Sequence, residues 1–236
     1  MNHDQINQNQ QNYHLPKNEK EVLQELESTI NKAIPLMEAC KYDKLGFSIR
    51  DNHVFGLSLA HQKLTTFPKC TLQLRDIREL WFLENRIQHL PENIGDLKFL
   101  IRIDMEKNYS LSSLPESVWD LKALEVLGLG GNKFSNISKR INELPNLKYL
   151  FLENNTFTKI PKYIWSLTQL QVLGLGGNNF KEISPKLQDF TQLRFLNLKN
   201  LDFLGSNSRS VGSIQDKSGK AKNEVKDFIT SLFRPH

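Results

Sequence analysis

The sequence predicts an α/β solenoid: a right-handed stack of short parallel strands on a concave face, 3-10 or short helical turns on the convex face, and a helical N-terminal cap. Three observations carry this. Asn85, Asn108, Asn132, Asn155 and Asn178 recur at intervals of 23, 24, 23 and 23 residues. Apolar residues stand eight, five and three positions before each Asn and two and five after it. Period-2 alternation before the Asn gives way to a spacing of three beyond it, which exchanges strand periodicity for that of a tight helical turn.

The unit from Leu124 shows the pattern as Leu124, Leu127, Leu129, Asn132, Phe134, Ile137, Ile141 and Leu144. Its successor runs Leu147, Leu150, Leu152, Asn155, Phe157, Ile160, Pro161, Ile164 and Leu167. No unit can bury its own apolar face, so neighbours must stack into one continuous column. At the Asn the chain leaves the strand and turns inward. That turn brings backbone N–H and C=O groups into the interior, and an amide supplies both a donor and an acceptor for them. A structural ladder of Gln62, Asn85, Asn108, Asn132, Asn155 and Asn178 is the expectation.

The pattern resembles the leucine-rich repeat family, in particular its 23-residue class with proline after the sixth apolar position, familiar from intracellular proteins. Pro68, Pro91, Pro115 and Pro161 match that proline, and the resemblance covers about two thirds of the chain. Gln62 and Leu201 depart from Asn at the ends, Ser138 and Ser184 stand where proline is expected, and one extra residue falls around Tyr109 to Leu111. The resemblance implies a scaffold that binds other proteins, or a regulatory repeat portion that accompanies a separate GTPase, kinase or ubiquitin-ligase activity. A self-associating structural protein is the third reading.

Around the repeats, residues 1–17 are rich in Asn and Gln without an apolar run and are expected to be disordered. Residues 18–53 read as a cap: an amphipathic helix with Val22, Leu23, Leu26, Ile30 and Ala33 on one stripe, then a hairpin turning at Asp51–Asn52. The solenoid of six to seven repeats spans 54–204. Residues 205–236 form a linker and a helix with Val225, Phe228, Ile229, Leu232 and Phe233 on one face. That helix either caps the stack or is a tethered ligand. Much of the chain's formal charge of +5 lies in this basic tail, so the solenoid itself is not expected to bind nucleic acid.

No stretch reads as a signal peptide or a membrane span. Two cysteines do not make a disulfide framework, and a cytoplasmic location without membrane attachment follows as the expectation. Six scattered histidines lack metal-site spacing, and the glycines of the repeated string LGLGGN follow strand alternation rather than a phosphate loop. No cofactor, metal or catalytic residue is expected, even though Asp104 and Glu106 share a strand face.

Strand positions two, four and six before each Asn should face outward from the concave surface. They compose two candidate protein-binding patches. One joins Glu79, Trp81, Leu83, Glu84, Arg102, Asp104 and Glu106; the other centres on Tyr149, Phe151 and Glu153. The second is flanked by Gly128, Gly130, Gly131, Gly174, Gly176 and Gly177, which would leave nearly bare backbone for a partner. The acidic residues favour a partner with a basic helix or extended segment.

Overall fold

The computed structural model describes residues 14–212 and 220–232; the predicted N-terminal tail lies almost wholly outside them. Among the described residues nine strands form one sheet in sequence order: β1 (Gly46–Arg50), β2 (His53–Ser58), β3 (Glu79–Trp81), β4 (Arg102–Asp104), β5 (Val126–Gly128), β6 (Tyr149–Phe151), β7 (Val172–Gly174), β8 (Phe195–Asn197) and β9 (Ser210–Gly212). From β2 to β8 the pairing is parallel, with Leu57, Leu80, Ile103, Leu127, Leu150, Leu173 and Leu196 in one row. The sheet is curved, and 3-10 turns alternate with the strands on its convex side.

The ends are closed by antiparallel pairing, β1 on β2 and β9 on β8, which leaves neither terminal repeat strand as a free edge. The N-terminal helix α1 (Lys17–Ile30) buries Val22, Leu23 and Leu26, but stops at Asn31, a left-handed residue at φ 51°, so the predicted Ala33 lies beyond it. Two of its acids also turn inward: the Glu27 carboxylate accepts the Ile34 N–H at 2.8 Å and Glu19 accepts the Val54 N–H at 2.7 Å. The C-terminal helix α2 (Lys220–Leu232) folds back on β8 and β9 and buries Val225, Phe228 and Ile229 in the core column.

Each asparagine performs the same task. Asn85 donates to the carbonyls of Phe82, Leu83 and, one repeat back, Leu59, while its oxygen accepts Leu64 N–H. Asn108, Asn155 and Asn178 repeat this, each accepting the N–H found 21 residues earlier. The extra residue near Tyr109 alters one rung, since Asn132 accepts from Asn108 N–H, 24 residues earlier. Gln62, half-buried at the edge, donates to Ala60 and accepts from Lys32, so its amide reaches no neighbouring repeat strand.

Two local features of the repeat explain its punctuation. The residue before each ladder position is left-handed throughout: His61, Glu84, Lys107, Gly131, Asn154 and Gly177 have φ between 53° and 67°. Gly131 and Gly177 meet that demand without Cβ strain. Where proline gives way to serine, the side chain takes over the start of the convex turn: Ser138 Oγ accepts Arg140 N–H and Ser184 Oγ accepts Lys186 N–H.

Candidate functional site

The concave surface is partly occupied by the chain itself. Between α1 and β1 the backbone crosses onto the strand face, where Cys40 lies beside Gly56 and Tyr42 reaches the middle of the sheet. The Tyr42 ring stands edge-on to Trp81, with centroids 6.1 Å apart, and its hydroxyl donates to Glu106 at 2.8 Å. Arg102 stacks on Trp81 from the adjacent strand at 4.4 Å. Nothing in the sequence spacing marked this strap, because residues 35–45 carry no periodic pattern.

The first patch is consequently much less open than its outward register implied. Trp81 and Asp104 are register partners on β3 and β4. Trp81 is only 9% exposed, Leu83 2% and Asp104 3%; Glu79, Arg102 and Glu106 are half-buried and Glu84 is exposed. Strand direction set the face, while the strap and the neighbouring side chains set the exposure. In the second patch Tyr149, Phe151 and Glu153 are half-buried, and the Tyr149 hydroxyl accepts from Arg194 at 2.5 Å.

Beside them Gly128, Gly130, Gly174 and Gly176 are buried and Gly131 and Gly177 half-buried, so they do not form bare troughs. A Cβ on Gly128 would come 3.0 Å from the carboxyl carbon of Asp104, and one on Gly174 would collide with the Glu153 carboxylate. Glycine at these positions leaves the space that the carboxylates of Asp104 and Glu153 occupy. Glu153 is held in that position by the Asn197 amide at 3.1 Å, and Asp104 accepts Glu106 N–H at 3.0 Å.

Burial governs the electrostatics of this floor. It pushes the carboxyl groups of Asp104 and Glu153 up to about 7 each; the negative charge of Glu106 adds to both shifts. Burial also raises Glu106, against the lowering hydrogen bond from Tyr42. Between the unfolded carboxylate range near 4 and about 7, the folded chain retains protons that the unfolded chain releases. Ionisation of these groups therefore opposes folding, an effect absent below about pH 4 and complete above about pH 7. Glu153→Gln, which keeps an oxygen for the Asn197 bond, should stabilise the protein by about 2 kcal/mol at pH 8 and leave it unchanged at pH 4. Thermal melts across that range check this, and equal shifts at both pH values would contradict the burial argument.

Comparison with known proteins follows the same lines. The leucine rich repeat family model matches residues 135–180 and 145–202. The Arabidopsis thaliana disease resistance protein RPS4B is 28% identical over 127 residues, which is 46% of this chain and 11% of that protein. The chain thus spans about a tenth of that curated relative. A Leptospira interrogans leucine-rich-repeat protein aligns with a TM-score of 0.53 at 28% identity, over 61% of this chain and 42% of its own. The Arabidopsis receptor kinase HAESA, solved with the peptide hormone IDA and the co-receptor SERK1, aligns with a TM-score of 0.58 at 27% identity, over 64% of this chain and 27% of its own.

These likenesses correct the cytoplasmic location. The receptor-kinase structures that resemble this stack are of an ectodomain, which points outside the cell. Cysteine counting misled because a continuous apolar column holds the stack together with Cys40 and Cys70 both free, so few cysteines do not identify a compartment. The unbroken strand register and the amide ladder carry the pattern of the matched residues 135–202 through the rest of the stack, so the chain carries leucine-rich repeats of the general family.

Proposed function

We propose that this chain is a protein-interaction module that holds an extended, basic segment of a partner against its concave sheet. The supporting observation is the juxtaposition of half-buried aromatics on β6, Tyr149 and Phe151, with the half-buried acids Glu106 and Glu153, which stand just beyond β4 and β6. An aromatic ridge supplies contact area at low entropic cost, and acids already set in place by the fold select for Lys or Arg. The HAESA ectodomain, solved with a bound peptide hormone, supports a peptide-like ligand for a stack of this shape. Extracellular work suits the same comparison.

The repeat is best assigned to the 23-residue class in which proline opens the convex turn: Pro68, Pro115 and Pro161 each stand immediately before a 3-10 turn. Regulation of an activity carried elsewhere is a second reading, favoured by the small share of its curated relatives that the chain matches. Wild type and a Tyr149→Ala/Phe151→Ala variant, used as paired baits with material from the native source, test the proposal. A protein retained by wild type and lost from the variant is the expected result. Identical sets would remove the concave ridge as the binding surface.

A further inference from the structure

The cap carries a second constellation of polar groups, remote in sequence and close in space. Glu19 lies in the first turn of α1, His53 opens β2, and Asp76 precedes β3. Their ligating atoms all lie within 4.8 Å of one another. His53 Nδ1 is 2.7 Å from Glu19 Oε1 and 3.6 Å from Asp76 Oδ2. We propose that Glu19, His53 and Asp76 form a structural binding site for a zinc-like divalent cation that ties the cap helix to the first repeat.

The geometry and the chemistry agree on this class of ion. A tetrahedral ion bound at about 2.0–2.1 Å separates its ligand atoms by about 3.3 Å, and the two observed separations bracket that value. One imidazole and two carboxylates suit zinc and related first-row ions, and two negative charges balance a divalent cation. Glu19 is fixed before any ion arrives: its side chain is 4% exposed, and its other oxygen accepts the Val54 N–H at 2.7 Å. Such orientation by a backbone group is how ligating carboxylates are usually held. His53 and Asp76 are 40% and 44% exposed, which leaves an entry path and room for a water as fourth ligand.

Because the ligands come from the helix, the hairpin and the approach to the second repeat strand, an ion here would act on cap docking. It would stabilise the folded chain by mass action. Calorimetric titration of the chelator-treated, full chain with zinc chloride should show one saturable equivalent with a dissociation constant in the micromolar range. Zinc should also raise the melting temperature by about 5 °C. Asp76→Asn leaves the Glu19–Val54 bond in place and should weaken uptake at least about tenfold. His53→Ala should weaken it at least as much. The cobalt-loaded wild type should show visible absorption from a four-coordinate histidine and carboxylate site, and Asp76→Asn should lack it. No saturable uptake by wild type up to about 1 mM, or equal uptake by wild type and both variants, overturns the site. The three groups would then be a hydrogen-bonded latch, and any zinc bound would belong to other histidines.

Discussion

Asn132→Ala is expected to destabilise the stack by about 3 kcal/mol, with an unchanged denaturant dependence in urea unfolding. The Asn132 amide donates to Met105, Leu129 and Gly130 carbonyls at 2.9, 2.9 and 3.2 Å and accepts Asn108 N–H. At 6% exposure, water cannot replace those partners without opening the turn between two repeats. Alanine leaves the Asn108 N–H without its acceptor, at a cost of about 1–3 kcal/mol, and takes one donor each from the Met105, Leu129 and Gly130 carbonyls, which keep the Asn108 amide, the Asn155 amide and the Lys107 N–H. Gln62→Ala is the matched control. Among the described residues that amide bonds only Ala60 and the exposed Lys32, so its loss should cost less than about 0.5 kcal/mol. Equal effects at the two positions would show that the ladder does not bear on stability.

Trp81→Ala should also cost about 3 kcal/mol, although its strand register faces the concave side. The indole is covered by Tyr42 and Arg102, and its removal takes away the seat of the strap as well as a large apolar area. Phe151→Ala, on the same row but half-buried, should cost under about 1 kcal/mol. Trp81→Phe sharpens the test, because the indole N–H is buried without a hydrogen-bond partner among the described residues. Losing that N–H removes an unpaired donor, so phenylalanine should be tolerated within about 1 kcal/mol. Chemical denaturation of the three variants measures the order directly. A Trp81→Ala protein as stable as Phe151→Ala would mean that the strap does not cover this face in solution.

The contrast between these residues marks what the linear pattern could convey. Leu80, Ile103, Leu127 and Leu150 were legible as core because each must alternate with an outward neighbour and stack on its equivalent 23 or 24 residues away. The same alternation put Trp81, Asp104 and Phe151 in one row of the sheet, and the strand register aligns them. It was silent about what lies over that surface, so Trp81 and Asp104 read as exposed. The glycines were misread for a related reason: the positions of the Asp104 and Glu153 carboxylates depend on adjacent strands.

Sequence by itself determined the repeat, the strand direction, the core column and the places where an amide must turn the chain, because each is dictated by a local period repeated along the stack. Tertiary structure alone decided that Tyr42 reaches Glu106, that carboxylates fill the glycine floor, and that Glu19, His53 and Asp76 meet at the cap. Those contacts join residues separated by no common period, and only the folding of the cap segments onto the rigid stack brings them within bonding distance.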